Sequence, residues 1–170
     1  RAFSPTLTDE HTSTLTRHIE EVCGLISEND LKDVILVGHS YGGMVITGVV
    51  ALMPERIGRL VYLDAALPDP GQSLFDIIAS TGIDPLSVPG LEADPPYVEK
   101  LSFDPSKIER LPKTYIRCTK SDFAPVTDLA QKKIAVAGEG WRYIELPSSH
   151  VPMADMPEEF NKILLDSAES

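Results

Sequence analysis

Residues 34–43 read Val34-Ile35-Leu36-Val37-Gly38-His39-Ser40-Tyr41-Gly42-Gly43. An apolar run is followed by a Gly-x-Ser-x-Gly pattern and then by small residues, a succession typical of a strand, a sharp turn and a helix. A serine at the apex of such a turn takes a strained backbone conformation, and glycines two positions away on each side leave room for it. The strain presents the hydroxyl to a base and a substrate. The stretch therefore predicts that Ser40 is a nucleophile; the alternative is a glycine-rich turn with a buried serine.

Composition sets the broad class. The chain has 170 residues, 42% of them hydrophobic, and a formal net charge of −11. This length predicts one domain, residues 1–170. The negative charge argues against a nucleic-acid or membrane partner, and no apolar run is long enough to span a bilayer. The two cysteines, Cys23 and Cys118, lie far apart in apolar segments and predict reduced core thiols in a cytoplasmic protein. The four histidines lack metal-ligand spacing, so we expect no metal and no cofactor.

Helices and strands alternate along the chain. Apolar runs at 34–37, 60–63, 114–118 and 141–146 predict strands, and the all-apolar 34–37 run predicts burial on both faces. Periodic segments predict helices from about residue 13 to 28, over 42–53 and 126–136, and from 157 onwards, the first capped by Thr12 or Ser13. Such alternation predicts an α/β fold, in which a parallel sheet with right-handed crossovers carries helices on both faces. Residues 66–112 hold eight of the 14 prolines. They predict a cap inserted over the active site, the alternative being a surface loop.

Candidate catalytic residues follow the predicted strands, where chemistry gathers in open parallel sheets. His150 comes after the last strand, and Asp122 comes after the third. Together with Ser40 they give the chain order nucleophile, acid, histidine. Asp64, at the end of the second strand, is the alternative acid. We favour Asp122 over Asp64.

These residues resemble an α/β-hydrolase of the branch that holds plant methyl esterases, hydroxynitrile lyases and bacterial esterase relatives. The resemblance covers nearly the whole chain and is weakest in the cap. It rests on Pro5-Thr6-Leu7-Thr8, residues 34–43, 60–64 and 115–119, and His150-Val151-Pro152-Met153.

The resemblance implies three roles. Ser40 would be the nucleophile, His150 would take its proton and pass it to the leaving alcohol, and the backbone N–H of Tyr41 would be one oxyanion donor. The acid departs from the branch's pattern: an aspartate is usual two positions after the Cys-Thr pair, where this chain has Ser121, and Asp122 follows one later.

The branch normally has more sheet before the point where this sequence starts, including a His-Gly turn that supplies the second oxyanion N–H. Three explanations compete. The sequence is part of a longer protein, which we favour; another chain completes the sheet, as in a homodimer; or the fold is reduced and poorly active. Without the missing strands, the 34–37 strand becomes a sheet edge.

Three functions follow from this reading. We favour a serine hydrolase that cleaves small carboxylic esters through an acyl-enzyme on Ser40. The second is a hydroxynitrile lyase-like enzyme, which would need a pocket lysine; Lys100 and Lys107 lie in the predicted cap. The third is a small-molecule binding protein without turnover.

Overall fold

The computed structural model describes residues 1–169, with side chains through residue 168. Four strands form one parallel sheet in the order β1-β2-β3-β4. They are β1 (Val34–His39), β2 (Ile57–Leu63), β3 (Lys113–Cys118) and β4 (Trp141–Leu146). Because the strands pair in sequence order and in parallel, their carboxyl ends all lie at one edge of the sheet. The predicted α/β fold with a parallel sheet is confirmed.

Within residues 1–169, eight helices precede, connect or follow the strands. They are α1 (Leu15–Glu28), α2 (Gly42–Leu52), α3 (Leu74–Ser80), α4 (Pro95–Val98), α5 (Ser106–Glu109), α6 (Ala124–Ala137), α7 (Pro152–Asp155) and α8 (Pro157–Glu169), with 3-10 turns at Pro54–Arg56 and Pro85–Ser87. The predicted N-terminal capping residue of α1 was wrong by one or two positions. The hydroxyl of Thr14, not of Thr12 or Ser13, accepts a hydrogen bond from the Arg17 N–H in the first turn.

The core has two layers, one on each face of the sheet. Leu60 and Tyr62 of β2 pack with apolar residues of α1, α2 and α6 on one face. The alternating residues Val61 and Leu63 pack with Phe160 of α8 on the other. This alternation follows from the two-residue side-chain period of a strand. Helices therefore flank both faces, as the sequence predicts.

Strand β1 departs from the prediction of burial on both faces. Leu36 is 8% exposed, whereas Ile35 and Val37 are 36% and 43% exposed. Val37 pairs with Val61 on the adjacent strand β2, and Val61 is fully buried in the cluster that contains Phe160 of α8. Strand β1 lies at the edge of the sheet, so within residues 1–169 it pairs with a strand on one side only. The hydrophobic run is thus half exposed because of its position in the sheet.

Residues 66–112 hold α3, α4 and α5, joined by irregular segments. Leu74, Ile77 and Ile78 of α3 are buried, so this stretch packs on the core. Its role as a cap stays a prediction. Cys23 and Cys118 are both free thiols. Within the described residues, every helix is too short or too polar to cross a membrane.

Candidate active site

Ser40 sits at the turn between β1 and α2 in a left-handed backbone conformation, with φ of 55°. Such a φ is rare for a residue with a side chain and marks stored strain. Backbone hydrogen bonds hold the turn in place. The Ser40 N–H donates to the Leu63 carbonyl at 3.2 Å, and the Ser40 carbonyl accepts from the Gly43 and Ala66 N–H groups at 3.2 and 3.1 Å. The strained turn predicted from the sequence is therefore present.

The close approach of neighbouring backbone requires glycine at two positions of this turn, Gly38 and Gly43. The Gly-x-Ser-x-Gly pattern emphasises Gly38 and Gly42 instead. A Cβ at Gly38 would lie 2.5 Å from the Gly42 carbonyl oxygen, and one at Gly43 would lie 2.1 Å from the Ala66 carbonyl oxygen. A Cβ at Gly42 would meet nothing within 4 Å. Steric need thus falls on Gly38, which lies against the backbone of Gly42, and on Gly43, which lies against the loop after β2.

His150 and Asp64 are joined by a hydrogen bond of 2.7 Å between Nδ1 and Oδ2. Asp64 is fully buried at the end of β2, with φ of 43°. Its other oxygen, Oδ1, accepts from the Cys118 N–H at 2.9 Å, and its own N–H donates to the Ile116 carbonyl at 2.7 Å. Neighbouring strand β3 therefore fixes the carboxylate while it faces the imidazole.

Asp122, the acid that the sequence favours, makes no hydrogen bond to His150 among the described contacts, although it lines the same pocket. The residue of this loop that does reach the ring is Ser121, whose Oγ lies 3.3 Å from Nδ1. Ser121 Oγ also accepts from the Phe123 N–H at 3.0 Å. The carboxylate that contacts the histidine is thus that of Asp64, and the loop after β3 directs Ser121, one position before Asp122, at the imidazole.

His39 is a further contact of His150 that sequence reasoning missed. Its Nε2 donates to the His150 carbonyl at 2.6 Å, and the two rings lie 4.5 Å apart. Burial lowers the pKa of His39, while the hydrogen bond to the His150 carbonyl opposes that shift. His39 lies just before Ser40 in the motif, but nothing in the sequence indicates its contact with residue 150.

Ser40 and His150 open into a pocket of about 370 Å³. Its walls are mainly apolar and aromatic, and come largely from residues 74–97 and the loop after β3. The lining residues are Ser40, Tyr41, Leu74, Ile78, Val88, Pro89, Gly90, Leu91, Tyr97, Asp122, Phe123 and His150. No lysine or arginine is among them, so the pocket offers an anionic ligand no cationic partner.

Tyr41 contributes to this site in two ways, through its side chain and through its backbone. Its side chain is held by His18, whose Nδ1 lies 3.0 Å from the phenol oxygen, and its ring packs edge-on against Tyr97 at 5.0 Å. Burial raises the pKa of the Tyr41 phenol well above its usual range, so the hydroxyl stays protonated. The Tyr41 backbone lies at the N-terminus of α2, where the helix dipole favours negative charge.

A group of potential metal ligands lies elsewhere. His11, Glu92 and Asp94 bring one ligand atom each within 4.8 Å of one another. His11 is exposed, and its Nδ1 is 2.8 Å from Asp94 Oδ1. The hydrogen bond to Asp94 raises the pKa of His11. We interpret the contact between His11 and Asp94 as a hydrogen-bonded pair on the surface.

Among known sequences, the chain resembles esterases, and the similarity covers only part of the chain. The chain is 55% identical over 65 residues to a carbendazim hydrolyzing esterase of Nocardioides sp. (strain SG-4G), which is 38% of this chain and 27% of that protein. It is 44% identical over 43 residues to polyneuridine aldehyde esterase of Rauvolfia serpentina, covering 25% of this chain and 16% of that protein. The matched stretches thus span about a quarter or less of these curated relatives.

Solved structures match over nearly the whole chain. An extracellular alpha/beta-hydrolase from a Paenibacillus species superposes with a TM-score of 0.72 at 23% identity, covering 94% of this chain and 81% of that one. A pyrethroid hydrolase from Sphingobium faniae JZ-2 gives 0.73 at 19% identity, covering 98% and 85%. At these identities the likeness shows the fold. The model of the alpha/beta hydrolase family matches residues 2–105, more than half of the sequence. The chain belongs to the alpha/beta hydrolase family.

Proposed function

We propose that this protein is a serine hydrolase that cleaves small carboxylic esters through an acyl-enzyme on Ser40. The observation that carries the proposal is the hydrogen bond between Asp64 and His150 beside the strained turn of Ser40. A nucleophile, a base and an acid that orients the base are the parts that acyl transfer needs. The esterase relatives, matched over short stretches, support the same reaction class.

Proton transfer follows from the tautomer that Asp64 imposes. Because Nδ1 of His150 faces the carboxylate at 2.7 Å, Nδ1 carries the proton and Nε2 is the basic nitrogen. Nε2 takes the Ser40 proton as Oγ attacks the ester carbonyl. The resulting imidazolium is stabilised by Asp64 and then donates the proton to the leaving alkoxide, which departs as the alcohol. Water, activated by the same nitrogen, attacks the acyl-enzyme and releases the acid.

The negative charge on the carbonyl oxygen requires hydrogen-bond donors. We assign one of them to the Tyr41 backbone N–H, which lies next to Ser40 at the start of α2. The N-terminal end of α2 adds favourable electrostatic potential at the same point.

The pocket indicates which esters fit. A volume of about 370 Å³ accommodates a small ester, and its walls include Tyr41, Tyr97 and Phe123. Without a lysine or arginine in the lining, we infer that uncharged substrates with apolar acyl or alcohol groups are preferred over anionic ones.

The lyase alternative has less support. Lys100 pairs with Asp76 at 3.5 Å, and the Lys107 ammonium donates to the Ala51 carbonyl at 2.8 Å. Neither lysine lines the pocket of Ser40. The acid–base lysine that such a reaction would use is therefore not provided by the two candidates.

Replacement of the nucleophile tests the proposal. We expect Ser40→Ala to lower kcat/KM for 4-nitrophenyl acetate by at least about 10³-fold. The nucleophile, the base and the acid act as a unit, so the loss of one removes most of the rate acceleration that they give together. Ser27→Ala, an exposed position on α1, is the matched control and should keep full activity. Retention of turnover by Ser40→Ala would exclude the acyl-enzyme on this residue.

A further inference from the structure

The side chain of Tyr41 contacts helix α1 through its hydroxyl end. The phenol oxygen lies 3.0 Å from Nδ1 of His18, and the two rings meet edge-on with their centres 5.8 Å apart. His18 is only 3% exposed, and its other ring nitrogen, Nε2, lies 2.7 Å from the Thr8 carbonyl oxygen. Both nitrogens of this buried histidine are therefore engaged, one by Tyr41 and one by the segment before α1.

The two partners of His18 determine the direction of its hydrogen bond to Tyr41. A backbone carbonyl can only accept, so Nε2 carries a proton and donates it to the Thr8 carbonyl. In the neutral imidazole Nδ1 is then an acceptor, and the Tyr41 hydroxyl donates to it. Burial raises the pKa of the Tyr41 phenol above its usual range, which keeps this proton on the oxygen. Among residues 1–168, whose side chains the structure describes, His18 is the only hydrogen-bond partner of the hydroxyl.

This hydrogen bond acts on the Tyr41 ring rather than on the Tyr41 backbone. The Tyr41 carbonyl already accepts from the Met44 N–H at 2.9 Å in the first turn of α2, and the Ser40 N–H donates to the Leu63 carbonyl at 3.2 Å. These bonds hold the main chain without help from the phenol. His18 therefore determines where the ring lies, and the proposed oxyanion donor does not depend on it.

The position of the ring matters because Tyr41 forms part of the wall of the Ser40 pocket. The ring packs edge-on against Tyr97 of α4, which also lines the pocket, with the centres 5.0 Å apart. His18 holds the hydroxyl end of the ring at α1. Without that acceptor, a partly buried hydroxyl would lose its partner, which is costly, and would gain by turning towards water. Since the ring borders the pocket, this movement would fill space that the substrate uses.

We propose that His18 is a positioning residue of the Ser40 site, which holds the Tyr41 ring against α1 and so keeps the pocket open to esters larger than acetates. The inference rests on the ester hydrolysis proposed for Ser40. His18 is not among the residues that line the pocket, so it acts through Tyr41. Its effect is on the binding of larger substrates rather than on the chemical step.

Two variants of nearly equal side-chain size isolate the hydrogen bond. His18→Leu removes both ring nitrogens, whereas His18→Asn keeps an acceptor, Oδ1, in the place of Nδ1. Both variants lose the donor to the carbonyl of Thr8, an exposed residue, so the difference between them reports on the contact with Tyr41. Adding Tyr41→Phe to the His18→Leu protein removes the hydroxyl that lacks a partner.

Steady-state kinetics at pH 8 with 4-nitrophenyl acetate and 4-nitrophenyl butyrate measure the effect on the pocket. We expect His18→Leu to raise KM for the butyrate about tenfold and KM for the acetate less than about threefold, with smaller changes in kcat. His18→Asn should keep both KM values. Tyr41→Phe should restore the butyrate KM of the His18→Leu protein, because a ring without a hydroxyl gains nothing by turning towards water. A merely structural role of His18 would raise both KM values together, and Tyr41→Phe would not reverse the change.

The position of the ring is measurable without any turnover. Labelling with 3-fluorotyrosine gives ¹⁹F signals for the five tyrosines of the chain, and the signal lost in Tyr41→Phe identifies position 41. We expect this signal to differ little between H2O and D2O in the wild-type and His18→Asn proteins. In His18→Leu it should show the solvent-isotope shift of an exposed tyrosine. If His18→Leu fails to fold, His18→Phe, which keeps an aromatic ring but has no acceptor, takes its place.

Equal butyrate KM values in His18→Leu and His18→Asn would overturn the proposal, and so would a ¹⁹F signal that His18→Leu leaves unchanged. The solvent-isotope shift of an exposed tyrosine at position 41 in the wild-type protein would also overturn it, and this result needs no variant of His18. If the wild-type protein hydrolyses neither ester, the function proposed for Ser40 fails. The ¹⁹F comparison of His18→Leu with His18→Asn still decides in that case whether His18 positions the ring.

Discussion

Asp64 Oδ2 lies 2.7 Å from His150 Nδ1, although the two residues are 86 positions apart in the chain. The contact joins the end of β2 to the loop after β4 across the intervening strand β3. The Cys118 N–H of β3 holds the other carboxylate oxygen at 2.9 Å. Because Asp64 is fully buried and held from both sides, its orientation towards the imidazole is set by the sheet itself.

The first prediction separates the two candidate acids. Asp64→Asn should lower kcat/KM for 4-nitrophenyl acetate by about 10³-fold or more, because an amide no longer stabilises the Nδ1–H tautomer or the imidazolium. Asp122→Asn, in the same pocket but without a hydrogen bond to His150, should change it less than about threefold. The reverse order of effects would restore Asp122 as the acid.

The second prediction concerns pH and His39. Burial lowers the pKa of folded His39 below its ordinary value of 6.5, so the unfolded chain takes up this proton first as the pH falls. The contribution of His39 to the free energy of unfolding is therefore complete above about pH 6.5 and declines below it, down to the lowered pKa. His39→Gln lacks this titration and keeps an N–H donor for the His150 carbonyl.

Urea unfolding at pH 7.5 and pH 5.5 checks this. The wild-type protein should lose more unfolding free energy between the two pH values than His39→Gln does. Equal losses in the two proteins would show that His39 does not titrate differently in the folded and unfolded states.

The third prediction concerns the glycines after Ser40. Gly43→Ala should destabilise the protein by about 2 kcal/mol, because its Cβ would lie 2.1 Å from the Ala66 carbonyl and force the backbone apart. Gly42→Ala should be neutral or stabilising by up to about 1 kcal/mol, since nothing lies within 4 Å and alanine favours the first turn of a helix. Urea midpoints of both variants measure the difference. Equal destabilisation would mean that the close approach over Gly43 is not what constrains the turn.

Much of the fold and part of the site could be predicted from local patterns. The apolar 34–37 run, the glycines and Ser40 define a strand, turn and helix within one short stretch, and the left-handed φ of Ser40 agrees with the expected strain. Periodicity predicted the helix from 157 onwards, because an amphipathic helix repeats its buried face every three to four residues, and in α8 the buried residue Phe160 packs on the core.

What could not be predicted depends on relationships between distant segments. Strand β1 is apolar at every position from 34 to 37, a pattern that by itself predicts burial on both faces. Its edge position was expected only from the resemblance, which implies further strands, and the partial exposure of Ile35 and Val37 agrees with that position. The choice between Asp64 and Asp122 depends on how the loop after β3 turns, which composition does not encode. The contact between His39 and the His150 carbonyl spans 111 positions and has no local signature.

Covalent labelling of Ser40 tests the central claim most directly. The purified protein would be treated with a fluorophosphonate probe, and the modified residue located by peptide mass spectrometry. The account predicts one phosphonyl group per chain, on Ser40, with labelling slowed by Asp64→Asn and unaffected by Asp122→Asn. Absence of labelling, or labelling at another residue, would contradict the assignment of Ser40 as the nucleophile of this hydrolase.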